Sequence, residues 1–406
     1  FKNAVNGYLH SDYTEAHRAA QLSWMTAVYE SNLGAAAADR DLAPQLLRTR
    51  LEAGPYSAEQ AVELGLVDRL GQLREAEAAI LEKAGGRAEF FDLSAYARTL
   101  ETPELGGGQT IALIEAEGPI LTGVGGMSNP LAPSAMVLSD ELSAALLEAA
   151  EADGVKAVVL RVNSPGGSNT ASEQILDGVR AVKAAGKPIV VSMGAYGASG
   201  GYWIASEASE IIAQPTTLTG SIGVYGGKLA LGPALAEFGV DMRQLDVGGE
   251  FAGAYALGEG FTPAQSQAFA RMIDQTYADF LVRVARGRDM SVERVEQVAQ
   301  GRVWTGAQAE DLGLVDQVGG FYDAVARAQA LAGIEGEPKL RRMTPQASPL
   351  QALERALGLG AVSLRTLAAA AWVMGDPRAE AILDEAMMAR LQARGGATVL
   401  APTPVR

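Results

Sequence analysis

The sequence predicts an α/β domain with a largely parallel sheet, preceded by the helical tail of a truncated first copy of the same domain. Three observations predict it. Short apolar runs such as Ala157-Val-Val-Leu-Arg-Val162 and Pro188-Ile-Val-Val-Ser192 alternate with helical patterns. Gly-rich turns follow those runs, at Asn163-Ser-Pro-Gly-Gly-Ser168 and at Met193-Gly-Ala-Tyr-Gly-Ala-Ser-Gly-Gly201. Finally, Pro55 to Gly71 recurs as Val303 to Gly319 at a fixed offset of 248 (303 − 55).

The repeat organises the chain. Leu64-Gly-Leu-Val-Asp68 is identical to Leu312-Gly-Leu-Val-Asp316, and the same gapless offset pairs Gln60 with Gln308 and Gly71 with Gly319. It also pairs Tyr29 with Tyr277, Arg40-Asp41 with Arg288-Asp289, and Thr14 with Thr262. One register held from Thr14 to Gly71 marks a duplication. Phe1 corresponds to position 249 and the second copy opens near 109, so about 140 residues (249 − 109) of the first copy fall outside this chain. Residues 1–95 are therefore expected to be a mainly helical remnant, too small to bury a core of its own. Residues 109–337 are expected to be the complete second copy, and 338–406 a helical extension, with an amphipathic helix over Leu350 to Met374 and a loose tail. A start at Phe1, without Met or a signal-peptide pattern, reads as a truncated or processed product.

In order, the second copy opens with a strand at Thr110-Ile-Ala-Leu-Ile114, a Gly-rich loop over 122–128, and an amphipathic helix from a Ser139-Asp-Glu cap. The strand Ala157–Val162 leads through the Pro-Gly-Gly loop to a helix from about Thr170 to Ala185. The next strand, Pro188–Ser192, leads through its small-residue turn to a helix beginning near Tyr202. Ile211-Ile212 and Gly223-Val224 read as short strand pieces around Thr216 to Ile222. A long helix spans Thr262 to Arg286, and shorter ones Ala307 to Leu312 and Phe321 to Ala332.

Composition narrows the function. With 48% hydrophobic and 20% charged residues the chain is globular, and its net charge of −15 argues against nucleic acid and against a polybasic membrane patch. The absence of cysteine excludes thiol catalysis, Cys-ligated metals and disulfides. The two histidines, His10 and His17, lack an H-x-x-x-H spacing and a recognisable carboxylate partner, so no metal site and no His-based triad is expected. No cofactor is expected either. No run approaches the roughly 18 to 20 apolar residues of a membrane span; Leu367 to Met374 is too short.

Ser199 carries the candidate chemistry. It sits in a turn between a strand and a helix, flanked by Ala198 and Gly200, where free N–H groups and the helix dipole favour negative charge. Serine acyl transfer needs an exposed hydroxyl, a base and oxyanion donors. The Gly166-Gly167 pair ends the preceding strand, and adjacent parallel strands end side by side. The Gly200 N–H and that of Gly166 or Gly167 could then form the oxyanion hole. Lysine bases are an accepted variant of the triad, but Lys156, Lys183, Lys187 and Lys228 all read as surface or turn lysines.

Four motifs occur in a specific order: Leu160-Arg-Val-Asn-Ser-Pro-Gly-Gly-Ser168, Gly186-Lys-Pro-Ile-Val-Val-Ser-Met193, Ala198-Ser-Gly-Gly-Tyr-Trp203 and Thr217-Leu-Thr-Gly-Ser-Ile-Gly223. Together they resemble the bacterial signal peptide peptidase A family in its long, duplicated form. The resemblance runs from the first residues to about 335 and is strongest over 156–226. It implies a Clp-protease/crotonase-like fold and a membrane-associated serine endopeptidase that degrades signal peptides left after secretion. The family's nucleophile falls on Ser199. Its base falls on Lys2, because Phe1-Lys-Asn-Ala-Val5 matches the family's lysine motif, and a serine that holds the lysine falls on Ser221. The offset agrees: Lys2 pairs with Glu250, so the second copy lacks a base there and each copy would supply half of one site. The resemblance also implies peptide substrates, a ring-like homo-oligomer such as a tetramer, and anchoring at the bacterial inner membrane by a segment outside this chain. Two other readings stay open: a crotonase-like acyl-CoA enzyme, which would need carboxylates at the oxyanion hole, and a non-catalytic scaffold.

Overall fold

The computed structural model describes residues 1–3, 5–99, 109–123, 136–249 and 251–343. The expected helix over Leu350 to Met374, the tail beyond it, most of the 122–128 loop and Glu250 lie outside the described residues. The strands are β1 (Thr110–Glu117), β2 (Ile120–Leu121), β3 (Val137–Leu138), β4 (Val155–Ser164), β5 (Ile189–Ala198), β6 (Glu210–Ala213), β7 (Leu218–Gly220), β8 (Val303–Thr305), β9 (Gln317–Val318) and β10 (Lys339–Arg342). The main sheet runs β10-β1-β4-β5-β6-β9, and β7 pairs with both β5 and β8. Every pairing is parallel except β7 with β8. The expected α/β class with a largely parallel sheet is what forms.

Both faces of the sheet are covered, which is why β4 and β5 read as continuous apolar runs instead of alternating ones. Val158, Leu160 and Val162 of β4 and Ile189, Val191 and Met193 of β5 point into one core, with Leu142 and Leu146 of the helix Ser139–Glu151 and Ile175, Leu176 and Val179 of the helix Asn169–Ala184. The intervening residues, Ala157, Val159 and Val190, join Ile111 and Ile212 against Ala324, Val325 and Ala328 of the helix Phe321–Leu331. At roughly 1.5–3 kcal/mol for each large apolar side chain, this two-sided burial holds β4 and β5 in fixed register, and β7 is held by its ladders with β5 and β8.

Two local expectations are corrected. Leu138 occupies the cap position of the helix Ser139–Glu151, and Ser139 is its first helical residue; the Ser139 hydroxyl instead accepts the Gly123 N–H at 3.4 Å. Gly223-Val224 joins no strand. Ser221, at φ 52°, ends the extended run at Gly220, and Gly223 then lies so close to Gly301 that a Cβ there would sit 2.7 Å from its Cα.

Residues 1–99 form the helices Asn6–Leu9, Glu15–Asp39, Pro44–Glu52, Ala58–Glu63, Leu73–Lys83 and Leu93–Thr99. Their own core is a small cluster of Leu33, Ala37 and Leu47. Element bounds coincide at the offset of 248: Glu15–Asp39 with Pro263–Gly287 (15 + 248 = 263), Ala58–Glu63 with Gly306–Asp311, and Leu73–Lys83 with Phe321–Leu331. The ion pairs coincide too. Arg40 donates to Asp68 and to the Gly65 carbonyl; Arg288 donates to Asp316 and to the Gly313 carbonyl. Burial separates the two sets. The helix Phe321–Leu331 packs on the sheet, whereas Leu73–Lys83 buries no residue. Ser23, on the helix Glu15–Asp39, accepts from Arg302 and Gln308 at 3.4 Å each.

Candidate active site

Register builds the site. In the β5–β7 ladder Ala198 pairs with Gly220, so the residues that follow, Ser199 and Ser221, emerge side by side at the carboxyl edge. Both turn there with positive φ, 53° for Ser199 and 52° for Ser221, in a region that side-chain-bearing residues rarely adopt. Ser199 has ψ −118° and immediately precedes the helix Gly200–Ala205; the sharp strand-to-helix turn thrusts its hydroxyl out of the sheet edge. The strain persists because its backbone is held at both ends. Its N–H donates to the Gly220 carbonyl at 2.9 Å and its carbonyl accepts the Trp203 N–H at 2.8 Å.

The loop after β4 lies directly against this turn. A Cβ on Gly166, at φ +104°, would stand 2.6 Å from the Gly200 nitrogen and 2.7 Å from Ser199 Cβ. The Gly166 N–H donates to Ser164 Oγ at 3.1 Å, and the Gly166 carbonyl accepts the Ile120 N–H at 3.0 Å. Gly167 forms a parallel bridge with Ile120, and its amide nitrogen faces Gly200, 3.0 Å from where a Cβ on Gly200 would stand. Neither the Gly167 N–H nor that of Gly200, the first residue of its helix, is taken by a hydrogen bond among the described residues.

Lys2 arrives from the far end of the sequence. Its Nζ is 3.0 Å from Ser199 Oγ, 2.9 Å from Ser221 Oγ and 3.1 Å from the Ser221 carbonyl oxygen. It also lies 5.8 Å from the centre of the Tyr225 ring. Burial pushes the ammonium down from 10.5 to about 8. The four lysines weighed in the sequence are engaged elsewhere: Lys183 donates to the Glu207 carbonyl, Lys187 to those of Ala149 and Ala152, Lys228 to that of Ala256, and Lys156 to that of Asp153. His17 packs edge-on to Tyr13, and neither histidine lines the cavity at Ser199.

That cavity holds about 70 Å³ and is walled by Trp203, Tyr225, Val224 and Phe280, with Gly167, Ser199 and Gly200 at its mouth. Trp203 is fixed by packing at a tilt of 37° against Phe280, ring centres 4.5 Å apart, and by donating its indole N–H to Glu173 at 2.9 Å. Phe280, Tyr225 and Thr276 were not candidates from sequence. Phe280 sits in the middle of an ordinary amphipathic helix, and nothing in its local pattern separates a cavity wall from a core residue.

Comparison with known proteins decides the family. Residues 1–86 and 181–335 match peptidase family S49. The chain belongs to that family. Residues 133–218 match the Clp protease family, in agreement with a Clp-protease-like α/β fold for this S49 member. Protease 4 of Salmonella typhi is 36% identical over 346 residues, covering 82% of this chain and 54% of that protein. Protease 4 of Haemophilus influenzae is 30% identical over 345 residues, covering 82% and 55%. The chloroplastic serine protease SPPA of Arabidopsis thaliana is 32% identical over 289 residues, covering 69% and 42%. The chain thus spans about half the length of these S49 relatives.

Proposed function

We propose that this chain is a serine endopeptidase working through a Ser–Lys dyad, with extended apolar peptides, cleaved signal peptides among them, as substrates. The observation that carries the reading is Lys2 Nζ at 3.0 Å from Ser199 Oγ, joining residues 197 positions apart. That distance is within proton-transfer reach. A lysine lowered to about 8 is partly neutral near physiological pH, so it can accept a proton.

The chemistry follows from the neighbours. The Ser199 hydroxyl donates its proton to the neutral Lys2 amine while Oγ attacks the scissile carbonyl carbon. Ser221, through its hydroxyl and carbonyl oxygen, holds the amine in line. The carbonyl oxygen, becoming an oxyanion, accepts from the Gly200 and Gly167 N–H groups. Gly166 is given a packing role instead, since its own N–H is already donated to Ser164. The Lys2 ammonium then protonates the leaving amine, and the regenerated amine activates the water that releases the acyl group. A cavity of about 70 Å³ walled by Trp203, Val224 and Phe280 suits a small or apolar side chain next to the scissile bond.

In this reading residues 1–95 are the tail of a first copy that supplies the base, and residues 109–337 the second copy that supplies the nucleophile. Peptides are the partners, and a ring-like homo-oligomer at a membrane fits the resemblance. Among the described residues no helix is long and apolar enough to cross a membrane. The acyl-CoA reading is disfavoured because, among the described residues, no Asp or Glu lines the cavity at Ser199. The test is hydrolysis of an apolar fluorogenic peptide by the intact chain, Ser199→Ala and Lys2→Ala. Activity confined to the intact chain, rising with pH through about 8, is expected. Retained hydrolysis in either variant, or an optimum near about pH 5, overturns the dyad.

A further inference from the structure

A base that arrives on an irregular segment, ahead of the first helical turn at Asn6, needs something to hold it in place. The hydrogen bonds to Lys2 Nζ fix its tip, not its stem. The stem rests on Gly301, at φ +72°, where a Cβ would stand 2.7 Å from Lys2 Cγ and 3.0 Å from its backbone nitrogen. The next residue, Arg302, reaches both sides of the seam. Its guanidinium lies 4.2 Å from the Trp304 ring and 5.3 Å from the Phe1 ring, and it donates to Ser23 of the helix Glu15–Asp39 at 3.4 Å. Its Nε is buried and has no hydrogen-bond partner among the described residues, so the guanidinium is held here by the two rings and by Ser23. The Trp304 ring is itself fixed by an indole N–H donated to the Val298 carbonyl at 2.8 Å.

The Arg302 backbone serves the same end from the other side. The β7–β8 ladder pairs Gly220 with Val303, and one step further the Arg302 carbonyl accepts the Ser221 N–H at 2.8 Å. One residue therefore holds Ser221 through its main chain, and Phe1 and the first-copy helix through its side chain. The offset of 248 places Gly54 at the equivalent position of the first copy (302 − 248 = 54), which has no side chain to do this. The clamp belongs only to the copy on which Lys2 lands.

We propose that Arg302 is a positioning residue for the S49 site, clamping the Phe1–Lys2 segment so that the lysine stays buried against Ser199; this rests on the reading of Lys2 as the base. Loosening the clamp exposes the amine to water and lets its affinity for protons climb back toward that of a free lysine. The experiment measures kcat/KM against pH with an apolar fluorogenic peptide, using the full chain, Arg302→Met, Arg302→Lys, Phe1→Leu and Lys2→Met. In Arg302→Met the rising limb should move up by about one pH unit, so that activity near pH 8 falls about fivefold at unchanged KM and recovers toward about pH 10. Arg302→Lys, which keeps a cation over the rings, should restore most of the limb's position. An unmoved limb in Arg302→Met overturns the proposal even where thermal stability drops. If that variant does not fold, Phe1→Leu, which removes only one ring face, decides the matter by the same shift or its absence. An active Lys2→Met, or an intact chain with no limb near pH 8, overturns the base assignment itself. An inactive Lys2→Met together with an unmoved Arg302→Met overturns only the role of Arg302.

Discussion

Replacing Lys2 by methionine should abolish hydrolysis and yet stabilise the fold at neutral pH. Burial lowers the Lys2 ammonium from 10.5 to about 8, and each unit is worth about 1.36 kcal/mol, giving roughly 3.4 kcal/mol against the charged form in the folded chain. Residual exposure of the side chain trims this to about 2–3 kcal/mol. Below about 8 the lysine is charged in both states and the folded chain carries the whole penalty. Between about 8 and 10.5 the unfolded chain still holds the proton that the folded chain has released, so stability rises with pH. Methionine removes the penalty but leaves Ser221 Oγ and the Ser221 carbonyl without their donor, which costs about 1 kcal/mol. Lys2→Met should therefore be about 1–2 kcal/mol more stable than the parent near pH 7, and about 1 kcal/mol less stable above about pH 10.5. Guanidinium melts followed by tryptophan fluorescence at pH values from about 7 to 11 would read the crossing directly. A stability difference that stays flat over that range would refute the reasoning, because it would mean Lys2 binds its proton equally well folded and unfolded.

Two further changes probe the turn and the repeat. Gly166→Ala puts a methyl 2.6 Å from the Gly200 nitrogen at a φ of +104°, displacing the turn that carries Ser199. It should lower kcat by about 10²-fold or more, in the range of a lost oxyanion donor, with a melt showing the fold largely kept; wild-type kcat would be incompatible with the packing described. The two Arg–Asp pairs make an internal comparison. Arg288 has 7% of its side chain exposed and Asp316 31%, against 31% and 86% for Arg40 and Asp68. Asp316 also accepts the Ile211 N–H of β6. Asp316→Ala should cost about 3 kcal/mol and Asp68→Ala at most about 1, measured by denaturant melts, and equal costs would contradict the difference in burial.

What was legible in the sequence divides along physical lines. β4 and β5 could be read because strands buried on both faces must be apolar throughout, and the Gly-rich turns could be read because close backbone approach tolerates no Cβ. In the structure Thr262 with Gln265 and Thr305 with Gln308 form capping boxes, hydroxyl and amide three residues apart, and neither was among the sequence expectations. Ser139 misled because a Ser-Asp-Glu start looks like a cap, while the hydroxyl was spent on the Gly123 N–H. Gly223-Val224 misled because an apolar pair after a strand looks like its continuation, and a single positive-φ residue at Ser221 breaks the ladder without any sign in composition.

The proposed base was legible only through the family's lysine motif at Phe1-Lys-Asn-Ala-Val5, for a reason of its own. A local pattern can place a nucleophile, since the strained turn needs its own small neighbours, but a base need only arrive, and any chain segment that reaches the cavity will do. Lys2 lies ahead of the first helix and in no ladder among the described residues, so no local periodicity marks it. Its seat is written in other residues: in Gly301, whose missing side chain leaves room for the lysine stem, and in Ser221, whose strained turn points two acceptors at one amine. Those constraints lie some 220 to 300 positions away in sequence (221 − 2 = 219; 301 − 2 = 299). The offset of 248 does not point to them either, since it aligns Lys2 with position 250, which belongs in sequence to neither the Ser199 turn nor the Ser221 turn. In the proposed site the helices of residues 1–99 bring Lys2 and the sheet brings Ser199, so such a site has to be sought across the repeated helices and not within either set.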